Sequence, residues 1–85
     1  MNAAQRETLA NAVVANGDYD FLRQIAEWLT PEYFGRLCVA RAQEHNWDVV
    51  EQFVQDVDPK SVEQMMELAI AEGNFDAIDM LDEHL

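Results

Sequence analysis

An all-α fold of six short helices, arranged as three stacked antiparallel helical hairpins, follows from the pattern of this chain. Offsetting the sequence by 28 residues brings Thr30-Pro31 onto Asp58-Pro59, and Tyr19-Asp20, Trp47-Asp48 and Phe75-Asp76 into register without a gap. Glycine or a polar turn falls in the middle of each unit, where a helix stop belongs. No segment sustains the alternation of apolar and polar residues that a strand requires, so no strands are expected. The same register aligns Leu9, Leu37 and Met65, then Ala10, Cys38 and Met66, then Leu22, Val50 and Ile78. The 85 residues therefore read as one helical-repeat domain, 1–85, with units at about 2–29, 30–57 and 58–85. The pattern also fits an unrelated six-helix bundle, because apolar stripes align readily between any two amphipathic helices.

The first unit predicts helices over about 3–16 and 18–29, separated by the turn Gly17-Asp18-Tyr19-Asp20. The second predicts helices over about 31–45 and 47–56, with Glu44-His45-Asn46-Trp47-Asp48 at the same turn. In the third, over about 59–72 and 75–84, the signals are fullest. Asp58 can cap the N-terminus with Pro59 at the first helical position, or Ser61 can cap with Gln64 completing a capping box. Val62, Met65, Met66, Ala69 and Ile70 follow the i, i+3, i+4, i+7, i+8 stripe of an amphipathic helix. Gly73 supplies a left-handed stop, and Asn74 can cap a last helix whose apolar side is Phe75, Ile78, Leu81 and Leu85. Links this short force consecutive helices to run antiparallel.

Ala69 followed by Gly73-Asn74-Phe75-Asp76-Ala77-Ile78-Asp79-Met80-Leu81, and less closely Asn46-Trp47-Asp48-Val49-Val50-Glu51-Gln52-Phe53-Val54, resembles the helix-turn-helix core of ankyrin repeats. The sequence departs from that family in its 28-residue period, in lacking the Thr-Pro-Leu-His stretch apart from Thr30-Pro31, and in leaving no room for the β-turn finger. The resemblance implies stacked helical hairpins whose work is binding other proteins.

Side chains that could carry catalysis are few. Ser61 and Cys38 are the only serine and cysteine, and His45 and His84 the only histidines. Cys38 aligns with Ala10 and Met66 on a core stripe, as a buried small hydrophobe would. His45 takes the helix-end register of Gly17 and Gly73. No nucleophile, base and orienting acid can be assembled with a spacing rationale, so no enzyme is expected. Asp76, Asp79 and Glu83 share a helix face, yet no calcium-loop pattern accompanies them, and neither metal nor cofactor is expected. A single cysteine excludes an intramolecular disulfide. Met1 to Glu7 carries no leader pattern and no run is apolar enough to span a bilayer, so a cytoplasmic protein without membrane contact is expected.

Charge is the strongest functional signal. From Glu44 onward there are 12 carboxylates against Lys60 alone, while residues 1–43 carry five carboxylates against four arginines. Like-charged pairs at helical spacing, Glu63/Glu67, Asp48/Glu51, Asp76/Asp79, Asp79/Asp82 and Asp79/Glu83, together cost about 1 to 2.5 kcal/mol on isolated helices. Solubility alone is one reason to carry such acidity. A net charge of −12 repels nucleic acid, so direct binding is not expected. Eleven charges match about 19 Å of duplex at roughly 1.7 Å per charge, and a helix over 59–72 is about 21 Å long.

Displayed on a rigid stack, Asp48, Glu51, Glu63, Glu67, Glu72, Asp76, Asp79, Asp82 and Glu83 approach the charge density of a nucleic acid. The expected partner is a basic protein, above all a nucleic-acid-binding one, with its groove occupied as a DNA-mimic inhibitor occupies it. In size and acidity the chain is similar to phage-encoded anti-CRISPR and anti-restriction proteins. The other expectation is an ankyrin-like adaptor whose acidity serves solubility. Trp28, Tyr33, Met66 and Met80 are candidates for an apolar interface, with Trp28, Tyr33 and Phe34 clustered around Thr30-Pro31. Met66, Leu68 and Met80 would lie on an uncovered or partly covered flank of the last hairpin, a surface suited to homodimerisation. Tyr19, Trp47 and Phe75 are expected to pack between repeats.

Overall fold

The computed structural model describes residues Met1–Leu85 and contains six α-helices and no strand. They are α1 (Ala3–Ala15), α2 (Tyr19–Gln24), α3 (Pro31–Gln43), α4 (Trp47–Phe53), α5 (Pro59–Glu72) and α6 (Phe75–Asp82). The chain divides into two compact units, Met1–Thr30 and Pro31–Leu85. The boundary falls where the first repeat ends in the sequence register.

The 28-residue period is visible in the backbone. Gly17, His45 and Gly73 all close a helix with positive φ, at 73°, 63° and 69°. Each stop has the same pair of bonds, as in Asp18 N–H to Val13 O with Gly17 N–H to Val14 O, or Asn46 N–H to Arg41 O with His45 N–H to Ala42 O. The third repeats it with Asn74 N–H to Ala69 O and Gly73 N–H to Ile70 O. These satisfy carbonyls that a helix end would otherwise leave unpaired. Glycine suits two of the stops because it has no Cβ to clash; His45 adopts the same conformation at a cost.

Helix starts follow the expected chemistry. Asp18 accepts from Phe21 N–H at 3.1 Å and Asn74 from Ala77 N–H at 3.1 Å. Of the two caps open for α5, the structure uses Asp58, which accepts from Ser61 N–H at 3.3 Å with Pro59 in the first turn. Asn2 and Gln5 form a reciprocal capping box on α1.

The second helices are shorter than the sequence predicts. α2 and α4 each give way to one turn of 3-10 helix, Ala26–Trp28 and Val54–Asp56, again 28 residues apart. The cause is the proline that opens the next unit: it holds the preceding residue extended, as at Asp58 with ψ 148°, and the chain tightens to reach it.

In Met1–Thr30, α1 packs on α2, and Ala10, Val13, Leu22 and Ile25 are buried. In Pro31–Leu85, α3 packs on α4, α5 on α6, and the two hairpins join through α3 and α5. Phe34 and Phe53 stack at 5.7 Å between α3 and α4, and Tyr33 meets Phe34 edge-on at 5.9 Å. Val62, Met65 and Ala69 from α5, with Ala77 and Leu81 from α6, complete the core. Cys38 is fully buried, and burial first, then the Asp56 carboxylate, pushes its thiol pKa from 9.0 up to about 12.

Three expectations about the core are corrected. Tyr33 is buried rather than offered to a partner, with the Arg36 guanidinium 5.8 Å from its ring. Ile70 and Phe75, placed on core stripes by periodicity, are 60% and 76% exposed. Leu85 is exposed as well. The stripe on a helix marks where a neighbour can pack, and at these positions nothing does.

Candidate acidic interface

Residues of α4 and α6 border one depression of about 390 Å³. Asp48 and Glu51 line it from α4 and Asp76 from α6, over walls formed by Trp47, Asn74, Ala77 and Met80. Their arrangement descends from the register: Asp48 and Asp76 occupy the same position of successive units, each in the first turn of its helix, where the dipole favours an anion. No lysine or arginine lines this depression.

The nine carboxylates singled out from the sequence do not form one array. Asp48, Glu51 and Asp76 converge. Asp79 and Asp82 of α6, and Glu83 just after it, are exposed and do not line this depression. Glu63 and Glu67 project from α5, and Glu67 lines a different depression with Val39, Gln43, Gln64 and Leu68, between α3 and α5. Glu72 is engaged internally. Its Oε1 lies 2.7 Å from His45 Nδ1 and its Oε2 accepts from Trp47 Nε1 at 3.0 Å, tying the α3–α4 turn to the end of α5. None of the remaining eight is among the ion pairs seen, which include Asp20 with Arg23, Glu44 with Arg41, and Glu72 with His45.

The apolar candidates separate too. Trp28 is 41% exposed, with the Arg6 guanidinium 5.8 Å above its ring. Met80 lines the acidic depression and Leu68 lines another with Val39 and Gln43 of α3; both are half-buried. Met66 is half-buried. Ile70, Phe75 and Leu85 are exposed although periodicity puts them on apolar stripes. In the 28-residue register Ile70 is the equivalent of Ala42, which is buried, and Phe75 of Trp47, which reaches Glu72.

Cys38, Ser61, His45 and His84 are not brought together: Cys38 is buried, Ser61 sits against Gly35, His45 meets Glu72, and His84 is exposed near the C-terminus. No three His, Cys, Asp or Glu side chains are placed to hold a metal ion, and no helix is long and apolar enough to cross a membrane. Comparison with protein-family models, with curated proteins and with solved structures gave no match to this chain.

Proposed function

We propose that the protein is a non-enzymatic binding domain that docks its acidic α4–α6 face on the basic groove of a nucleic-acid-binding protein, in the manner of a DNA-mimic inhibitor such as an anti-restriction or anti-CRISPR protein. One observation carries the reading. Asp48, Glu51 and Asp76 line a single depression with no cation in its lining, and Asp79 on α6 and Glu83 just after it are exposed carboxylates nearby in the chain. Leaving such an array unpaired costs stability through mutual repulsion, and a cationic surface removes that cost on binding. The helices hold these anions on a packed scaffold, so little order remains to be gained when a partner arrives.

The test is competition. Added to a panel of purified nucleases and repressors, the protein should displace labelled duplex DNA from at least one of them, less effectively as salt rises. Asp48→Lys/Glu51→Lys/Asp76→Lys should abolish displacement. A complex that forms without releasing DNA, or that ignores this triple reversal, refutes the assignment.

A further inference from the structure

The outer side of the α5–α6 hairpin carries a second surface. Met66 and Ile70 are one turn apart on α5, and Phe75 and Ile78 are likewise spaced on α6. Ile70 is 60% and Phe75 76% exposed, whereas Met66 and Ile78 are half-buried. The residues 28 positions earlier show what this side of a hairpin does. Ala42, equivalent to Ile70, is buried and lines a depression with Leu68 and Ala71 of α5. Trp47, equivalent to Phe75, reaches Glu72. Cys38 and Val50, equivalent to Met66 and Ile78, are buried. On the α3–α4 hairpin this side is thus the one that receives the next hairpin.

Two substitutions in the register show that the exposed version is built for a different occupant. Gly35 is buried where α3 comes so close to α5 that a Cβ would overlap Asp58 and Ser61; its equivalent on α5 is Glu63, exposed. Val54 is buried; its equivalent is Asp82, exposed. A second copy of this chain, itself at net charge −12, is repelled as a whole and brings few cations to pair Glu63 and Asp82 in a buried interface. An occupant must supply positive charge at these two positions and apolar side chains between them.

We infer that this flank is a docking site for a cationic amphipathic helix of a partner protein, with aliphatic or aromatic anchors seated on Met66, Ile70, Phe75 and Ile78 and lysines or arginines opposite Glu63 and Asp82. The site lies apart from the Asp48–Glu51–Asp76 depression and does not depend on its role. Helix-in-groove recognition of this kind reads anchors at i, i+3 or i+4, and i+7.

The probe is a labelled helical peptide of lysine and leucine with all leucines on one face, titrated into the full chain and followed by fluorescence anisotropy. A scrambled peptide of the same composition, lacking the apolar face, serves as the comparison. The amphipathic peptide should bind roughly ten-fold or more tightly than the scrambled one, and Ile70→Gln/Phe75→Gln should remove that advantage. Glu63→Gln/Asp82→Asn should also weaken binding, while Asp48→Lys/Glu51→Lys/Asp76→Lys should retain the preference for the amphipathic peptide. Because all these positions are exposed, circular dichroism of the variants should be unchanged. Equal binding of both peptides, or an Ile70→Gln/Phe75→Gln variant that binds like the parent, overturns the inference. So does gel filtration showing a dimer that the same double variant converts to monomer, since a second copy would then hold the flank.

Discussion

Replacing Gly35 by alanine should destabilise the protein, against the ordinary preference of a helix. Gly35 lies inside α3, and in a free helix alanine is favoured over glycine by about 1 kcal/mol. Here the new Cβ would overlap Asp58 Oδ1 and Ser61 Oγ and stand 2.9 Å from Ser61 Cβ. The Ser61 hydroxyl can rotate away, but its Cβ moves only with the backbone of α5. To clear both neighbours α5 must retreat from α3, an overpacking cost of about 1 to 3 kcal/mol, and Asp58 must swing out and forfeit the Ser61 N–H bond that caps α5, about 1 kcal/mol. Both together, less the helix preference, leave a net loss of about 1 to 3 kcal/mol. In a domain of this size that lowers Tm by about 4 to 8 °C per kcal/mol. Thermal and urea unfolding followed by circular dichroism measure it, with Gly17→Ala alongside. Gly17 has positive φ but open space around it, so its cost is conformational alone, about 1 kcal/mol. Ser61→Gly should recover part of the Gly35→Ala loss in a double-mutant cycle, because it removes the colliding Cβ. A Gly35→Ala protein with unchanged or raised Tm would show that α3 and α5 do not approach as described.

Alkaline stability should depend on Cys38: the folded thiol keeps its proton to about pH 12 while the unfolded one loses it near 9.0, so stability is fully present below pH 9 and falls as pH rises above it. The loss approaches about 1.4 kcal/mol per pH unit, and urea unfolding of the parent against Cys38→Ala between pH 8 and about 10.5 should show a steeper decline in the parent; parallel curves would contradict it. A thiol reagent should label Cys38 only at the rate of unfolding, and immediate labelling under native conditions would deny its burial. Glu72→Ala removes the acceptor of both His45 and Trp47 and should cost about 1 kcal/mol with a change in Trp47 fluorescence, absent if the tie does not form in solution. His45→Gly relieves the left-handed backbone but loses Glu72, so it should stabilise by up to about 1 kcal/mol in a Glu72→Gln background and by less in the parent; equal effects would mean the two side chains are uncoupled.

Much of the local architecture was legible without coordinates because it depends on short-range chemistry. The stops at Gly17, His45 and Gly73, the cap at Asn74, and the α5 bounds at Pro59 and Glu72 are each decided by residues within one turn of the event, whereas the choice of Asp58 over Ser61 as the α5 cap was open in the sequence. The charge imbalance is likewise a property of composition and order. The 3-10 turns were missed because their cause, the proline at the start of the following unit, acts through where the chain must arrive. The acidic site was half legible: register predicts that Asp48 and Asp76 fall at equivalent places, whereas the diversion of Glu72 to His45 and Trp47 needs two distant turns in contact.

What the chain determined by itself is six helices, their stops at Gly17, His45 and Gly73, their 28-residue register and the excess of carboxylates from Glu44 onward. Tertiary structure alone decided that Tyr33 is buried, that Leu68 and Met80 line depressions bordered by other helices, and that Ile70 and Phe75 remain open to water. Periodicity marks an apolar side on every helix alike, but burial requires a second surface against it. On the outer side of the α5–α6 hairpin this chain supplies none.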